Sequence, residues 1–72
     1  MSSVWDNRAY KECLIHLQPE ERDGAWIPRF TIQCARGKAQ FHSLACEDAP
    51  QATRSAASDY AFERAKEWID QN

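Results

Sequence analysis

Residues 25–35, Ala-Trp-Ile-Pro-Arg-Phe-Thr-Ile-Gln-Cys-Ala, alternate more cleanly than any other stretch of the chain. Trp26, Pro28, Phe30, Ile32 and Cys34 fall on one side, and Ile27, Arg29, Thr31 and Gln33 on the other. This is the period-two pattern of a strand with one face on a core. Pro28 has no N–H to give to a ladder, so it belongs near the strand's start, at a bulge, or where that group would face outward.

Downstream, Arg36 and Gly37 suit a tight hairpin turn, and residues 38–46 return as a further strand whose large apolar residue is Phe41. A two-residue loop sets Ile32 opposite Phe41, Cys34 opposite Ala39 and Phe30 opposite Ser43 on one face. Thr31 then meets His42, and Arg29 meets Leu44, on the other face. One more loop residue without a bulge would turn Phe41 to the wrong face, because side chains alternate strictly.

Upstream, Cys13, Ile15 and Leu17 alternate with Leu14, His16 and Gln18, which predicts a strand over residues 10–18. Pro19 ends it, and the charged connection that follows closes on Asp23-Gly24, a pair suited to positive φ. Residues 1–9 hold Val4 and Trp5 without a sustained period and are expected to be an N-terminal tail, ordered only where Trp5 docks.

After a connection over residues 47–51, Thr53 is the expected N-cap of a helix running from about residue 54 to residue 70. On a helical wheel Ala57, Ala61, Phe62, Ala65, Trp68 and Ile69 share one arc opposite Asp59, Glu63, Lys66 and Asp70. The alanines at 57, 61 and 65 let the helix axis approach the sheet, with Phe62 and Trp68 filling the space beside that ridge. Surface pairs are expected between Lys66 and Asp70 and between Arg64 and Glu67. The fold class is therefore α+β: a three-stranded antiparallel β-meander packed on one C-terminal α-helix, as a single domain over residues 10–72.

Composition narrows the functions open to such a chain. Its 72 residues bury only about 60% of the unfolded surface, so the core is thin. The net charge of -2 argues against a dedicated nucleic-acid binder, whose affinity comes from neutralising phosphates. No apolar stretch approaches the ~20 residues that span a bilayer, so no membrane role is expected. Cys13, Cys34 and Cys46 make an odd set without a C-x-x-C pair, and no apolar leader opens the chain. Free structural thiols in a reducing cytoplasm are the expectation, with a disulfide between strand neighbours as the alternative.

Neither catalysis nor a bound cofactor is expected. Gly24 and Gly37, the only glycines, cannot form a phosphate-cradling loop. A two-layer domain of this length does not enclose the pocket that an activated nucleophile needs. His16 and His42 are placed on the sheet face away from the helix, where Cys46 could join them, but as singletons on separate strands they predict no metal site.

That open face is the candidate partner surface: Leu14, His16, Ile27, Arg29, Thr31, His42 and Leu44, with Gln33 and Gln40 beside them. Its apolar members suit the centre of a modest interface with a protein partner or a second copy of the chain. The predicted function is thus a non-enzymatic protein-interaction or self-association module. The alternative is a weak nucleic-acid-binding module that uses Arg29, Arg36 and Lys38, because residues 25–46 contain no acid.

Tyr10-Lys11, Pro19, Asp23-Gly24 before Trp26-x-Pro28, Phe30-x-Ile32, and Thr53-x-x-x-Ala57 leading to Trp68-Ile69-Asp70 together resemble a set of small bacterial proteins of β-β-β-α order. The resemblance covers residues 10–70 and implies this fold and no known activity. Two departures stand out: Glu12 where glycine often follows Tyr-Lys, and Ser55 and Ala56 where acids often open the helix. The second removes the capping box and a favourable dipole interaction. The strand order also resembles the last four elements of the double-stranded-RNA-binding fold. That family's first helix is missing, however, and Thr53-Arg54-Ser55-Ala56 carries one charge where a basic cluster would grip phosphates.

Overall fold

The computed structural model describes residues 6–34 and 40–71. These form β1 (Asp6–Tyr10), β2 (Cys13–Leu17), β3 (Glu20–Arg22), β4 (Ala25–Ile27), β5 (Arg29–Cys34), β6 (Gln40–Ala45) and α1 (Arg54–Gln71). An antiparallel sheet of order β1-β2-β5-β6 packs on α1, and β3 and β4 pair as a separate ribbon. The α+β class and the C-terminal helix are as expected, but the sheet has four strands, not three.

The added strand comes from residues expected in the tail. Asp6 pairs with Leu17 and Tyr10 with Cys13, so Lys11 and Glu12 form a two-residue hairpin loop inside what reads as one continuous strand. Lys11 sits at φ 55°, a left-handed conformation that costs a non-glycine residue roughly 1–2 kcal/mol. Contacts to the last helical turn accompany that strain. The Lys11 ammonium lies 2.6 Å from an Asp70 carboxylate oxygen, and the Tyr10 hydroxyl donates to the same carboxylate at 3.0 Å. Asp70 therefore pairs with the hairpin, while Lys66, expected to reach Asp70, pairs with Glu63 at 3.0 Å. The expected Arg64–Glu67 pair forms at 3.5 Å.

Pro28 divides the long alternating run into β4 and β5. It is buried, and its carbonyl accepts the Cys46 N–H at 2.8 Å. Before the break, β4 folds back on β3 through Asp23 and Gly24, at φ 54° and 81°. Two consecutive positive φ values are what a type I′ two-residue turn requires. The ribbon also holds the connection to the helix, since Trp26 and Gln51 exchange both backbone hydrogen bonds at 2.8 Å. Thr53 caps the helix as expected, its hydroxyl accepting the Ala56 N–H at 3.1 Å.

The pairing of β5 with β6 lies one residue along from the expected register. Ile32 faces His42, Phe30 faces Leu44 and Gln33 faces Phe41. Because side chains alternate strictly, a one-residue shift moves every β6 side chain to the other face. Phe41 is accordingly 70% exposed, while the His42 ring stacks on Trp68 with centroids 4.4 Å apart and planes 9° from parallel. The expected Arg36-Gly37 turn lies outside the described residues, as does Trp5.

Between sheet and helix, Ile15, Leu17, Phe30, Ile32, Ala61 and Ala65 form the buried core, with Tyr10, Cys13, Cys34, Phe62, Trp68 and Ile69 packed around it. Ala57, Ala61 and Ala65 are fully buried, in accord with close approach of the helix axis. Cys13 and Cys34, directly opposite on β2 and β5, are joined by a disulfide. The expectation of three free thiols therefore fails, and the alternative of a disulfide between strand neighbours holds. Neighbouring strands bring the two β-carbons together although the residues are distant in sequence. Cys46 remains a free, buried thiol, and burial pushes its pKa up. No helix among the described residues is long and apolar enough to cross a membrane.

Candidate interaction surface

The face of the sheet away from α1 is built from the alternate residues of all four strands. One row crosses it as Ala9, Leu14, Gln33 and Phe41, and the next as Asn7, His16, Thr31 and Ser43. The second row is internally satisfied. His16 Nδ1 lies 2.9 Å from Asn7 Oδ1, and the Thr31 and Ser43 hydroxyls lie 2.9 Å apart. Thr31 also donates to Gln18 Oε1 at 3.2 Å. The first row is chemically different: Leu14 is 38% and Phe41 70% exposed, two apolar groups on either side of Gln33.

Of the seven residues expected on this face, Leu14, His16, Arg29 and Thr31 are there. Ile27 belongs to the β3–β4 ribbon and is only 5% exposed. His42 and Leu44 lie on the helix side, because the observed register places them opposite Ile32 and Phe30. The two histidines therefore sit on opposite faces of the sheet. Arg29 carries its charge beside Glu20, with nitrogen and oxygen 3.4 Å apart. Arg36 and Lys38, the other members of the proposed basic strip, lie outside the described residues.

Phe41, Ser43, Asn7 and Ala9 are surface residues that the sequence reading missed. For Phe41 the available signal was the warning attached to loop length. For Asn7 and Ala9 there was no such signal, because Asp6-Asn7-Arg8-Ala9-Tyr10 does not alternate in polarity and neither Lys11 nor Glu12 is a usual turn former.

The outer edge of β6 borders this face. Since the Cys46 N–H bonds to the Pro28 carbonyl, the observed register makes Phe30/Leu44 and Ile32/His42 the hydrogen-bonded pairs of the β5–β6 ladder. The N–H and C=O groups of Phe41, Ser43 and Ala45 consequently point away from β5. Among the described residues no strand pairs with β6 on that side. A shallow depression of about 130 Å³ lies beside the edge, lined in part by Gln18, Arg29, Thr31 and Ser43. On the helix side of the same strand, a cleft of about 150 Å³ opens between Leu44 and Trp68.

No protein-family model matches the chain, and no curated protein or solved structure is similar enough to it to count as a match. The resemblance to small bacterial β-β-β-α proteins accordingly rests on the sequence pattern alone.

Proposed function

We propose that this chain is a non-catalytic protein-interaction module that presents the sheet face opposite its helix. The observation that carries the reading is Phe41, a large apolar side chain 70% exposed, in one row with the half-exposed Leu14. Bringing such a ring out of water onto a partner is worth about 25 cal/mol for each Å² buried. The polar row beside it, from Asn7 to Ser43, supplies the kind of satisfied rim that surrounds an apolar interface centre. A thin core with an aromatic ring left outside it is the arrangement expected of a domain that completes its burial by binding.

The test is photo-crosslinking in the cells that make the protein, with Phe41 replaced by p-benzoylphenylalanine. Adducts of discrete mass are expected from position 41 and not from the same group placed at Glu63 on the outer face of the helix. Absence of adducts at position 41, or equal labelling at both positions, would overturn the reading.

A further inference from the structure

The two edges of the sheet are not alike. β1 carries Asp6 and Arg8, which pair with each other at 3.0 Å, and Arg8 reaches Asp59 of the helix at 3.3 Å. Charges of this kind blunt an edge against further pairing. β6, Gln-Phe-His-Ser-Leu-Ala, contains no Lys, Arg, Asp, Glu or Pro. It directs the backbone groups of Phe41, Ser43 and Ala45 outward, and its exposed Phe41 and Leu44 lie on opposite faces of the strand.

Resting on the interaction-module reading, we infer that the partner is a second copy of this chain, joined edge to edge by antiparallel pairing of β6 with β6. An occupant of this edge must supply unpaired backbone donors and acceptors at strand spacing and tolerate a strip without charge. The same strand of another copy meets both requirements, and pairing an uncharged strand with itself brings no like charges together. A twofold axis through Ser43 sets Ser43 opposite itself and Phe41 opposite Ala45 of the other copy. Each of the three outward-facing residues then exchanges hydrogen bonds with its counterpart.

The same register acts on the other side of the strand. Alternation sets His42 opposite Leu44 of the second copy, so that leucine, 43% exposed in the single chain, comes against the imidazole already stacked on Trp68. One rotation thus covers both exposed apolar residues of the strand. It joins two four-stranded sheets into one, with both helices on the same face. Like-with-like pairing closes the assembly at two copies, and the charged β1 edges left at its ends oppose extension into a fibre.

Hydrogen exchange and sedimentation test this on the intact chain between about 1 µM and about 1 mM, the range over which weak association becomes visible. The expected result is a species of twice 8.3 kDa at the upper end. The amides of Phe41, Ser43 and Ala45 should gain protection as it forms. An N-methyl group on the Ser43 amide, introduced by chemical synthesis, blocks only an outward donor. It should raise Kd by at least about tenfold, as should Phe41→Lys, while Glu63→Gln, on the outer face of the helix, should leave Kd within about threefold. Far-ultraviolet circular dichroism of each variant checks that the fold survives.

A dimer that persists with the N-methyl group in place and dissociates in Leu14→Lys would overturn edge pairing while leaving the interaction-face reading intact. A wild-type chain that stays monomeric throughout would overturn the inference, and crosslinking from position 41 would then decide the broader reading separately.

Discussion

Ile32 of β5 lies opposite His42 of β6, so an imidazole and not a phenyl ring sits over the helix at that point. Phe41→Ala should therefore change the stability of the dilute chain by no more than about 0.5 kcal/mol, as is usual for an exposed site. Phe30→Ala empties a site that is 1% exposed and should cost about 3 to 5 kcal/mol. Urea unfolding followed by tryptophan fluorescence compares the two, and equal losses would contradict the register.

The Cys13–Cys34 disulfide spans a sequence separation of 21, and loss of a closure of that length should remove about 3 kcal/mol in the chain-entropy account. Thermal unfolding with and without a thiol reductant measures the loss. Thiol titration of the unfolded, unreduced chain should find one thiol, that of Cys46, and three after reduction. Three thiols before reduction would sink the pairing.

Lys11, and then Tyr10, hold the Asp70 carboxyl below its ordinary value of 3.8 by hydrogen bonding. Since the folded value is the lower one, the stability from this contact is present above about pH 4 and is lost as pH falls through the folded pKa. Lys11 is raised above its ordinary 10.5 by the same carboxylate, so its share is present below that value and is lost as pH rises through the raised one. The thermal midpoints of the wild-type chain and Asp70→Asn should differ most near neutrality and converge in acid. A constant gap across the acid range would contradict the assignment.

At the other end of the helix, Thr53 supplies the only capping side chain that reaches the first turn among the described residues. Thr53→Ala should cost about 1 kcal/mol. No acid occupies the first turn, so Ala56→Glu should stabilise the protein by about 0.3 to 1 kcal/mol through the helix dipole. Chemical denaturation of the two variants gives both signs, and a stabilising Thr53→Ala would be inconsistent with the cap.

The helix was legible because its alanines recur at 57, 61 and 65 and Thr53 marks its start; neither signal depends on distant residues. Asp23-Gly24 was legible for the same reason, being a turn pair that carries its own conformational preference. The β1–β2 hairpin was hidden because Lys11 takes a glycine-like φ without being glycine, held against a helix residue far along the chain. The facing of β6 was undetermined in a different way. Two registers one residue apart both pair plausible neighbours, and what distinguishes them is a ring on the helix, Trp68, that receives His42. The disulfide was legible only as an alternative, since cysteine spacing does not say which strands are neighbours.

That cross-strand bond leaves the sheet unevenly indexed. β2 and β5 are aligned covalently, whereas among the described residues β6 is aligned to β5 by side-chain fit and ladder bonds. An insertion or deletion of one residue in the connection before β6 would therefore be absorbed by that strand, leaving the clamped half unchanged. Its outcome would be an exchange of surfaces, with Phe41 entering beneath the helix and His42 emerging on the open side. Changes in the length of that connection would thus alter what the domain shows to its surroundings while leaving most of its core in place.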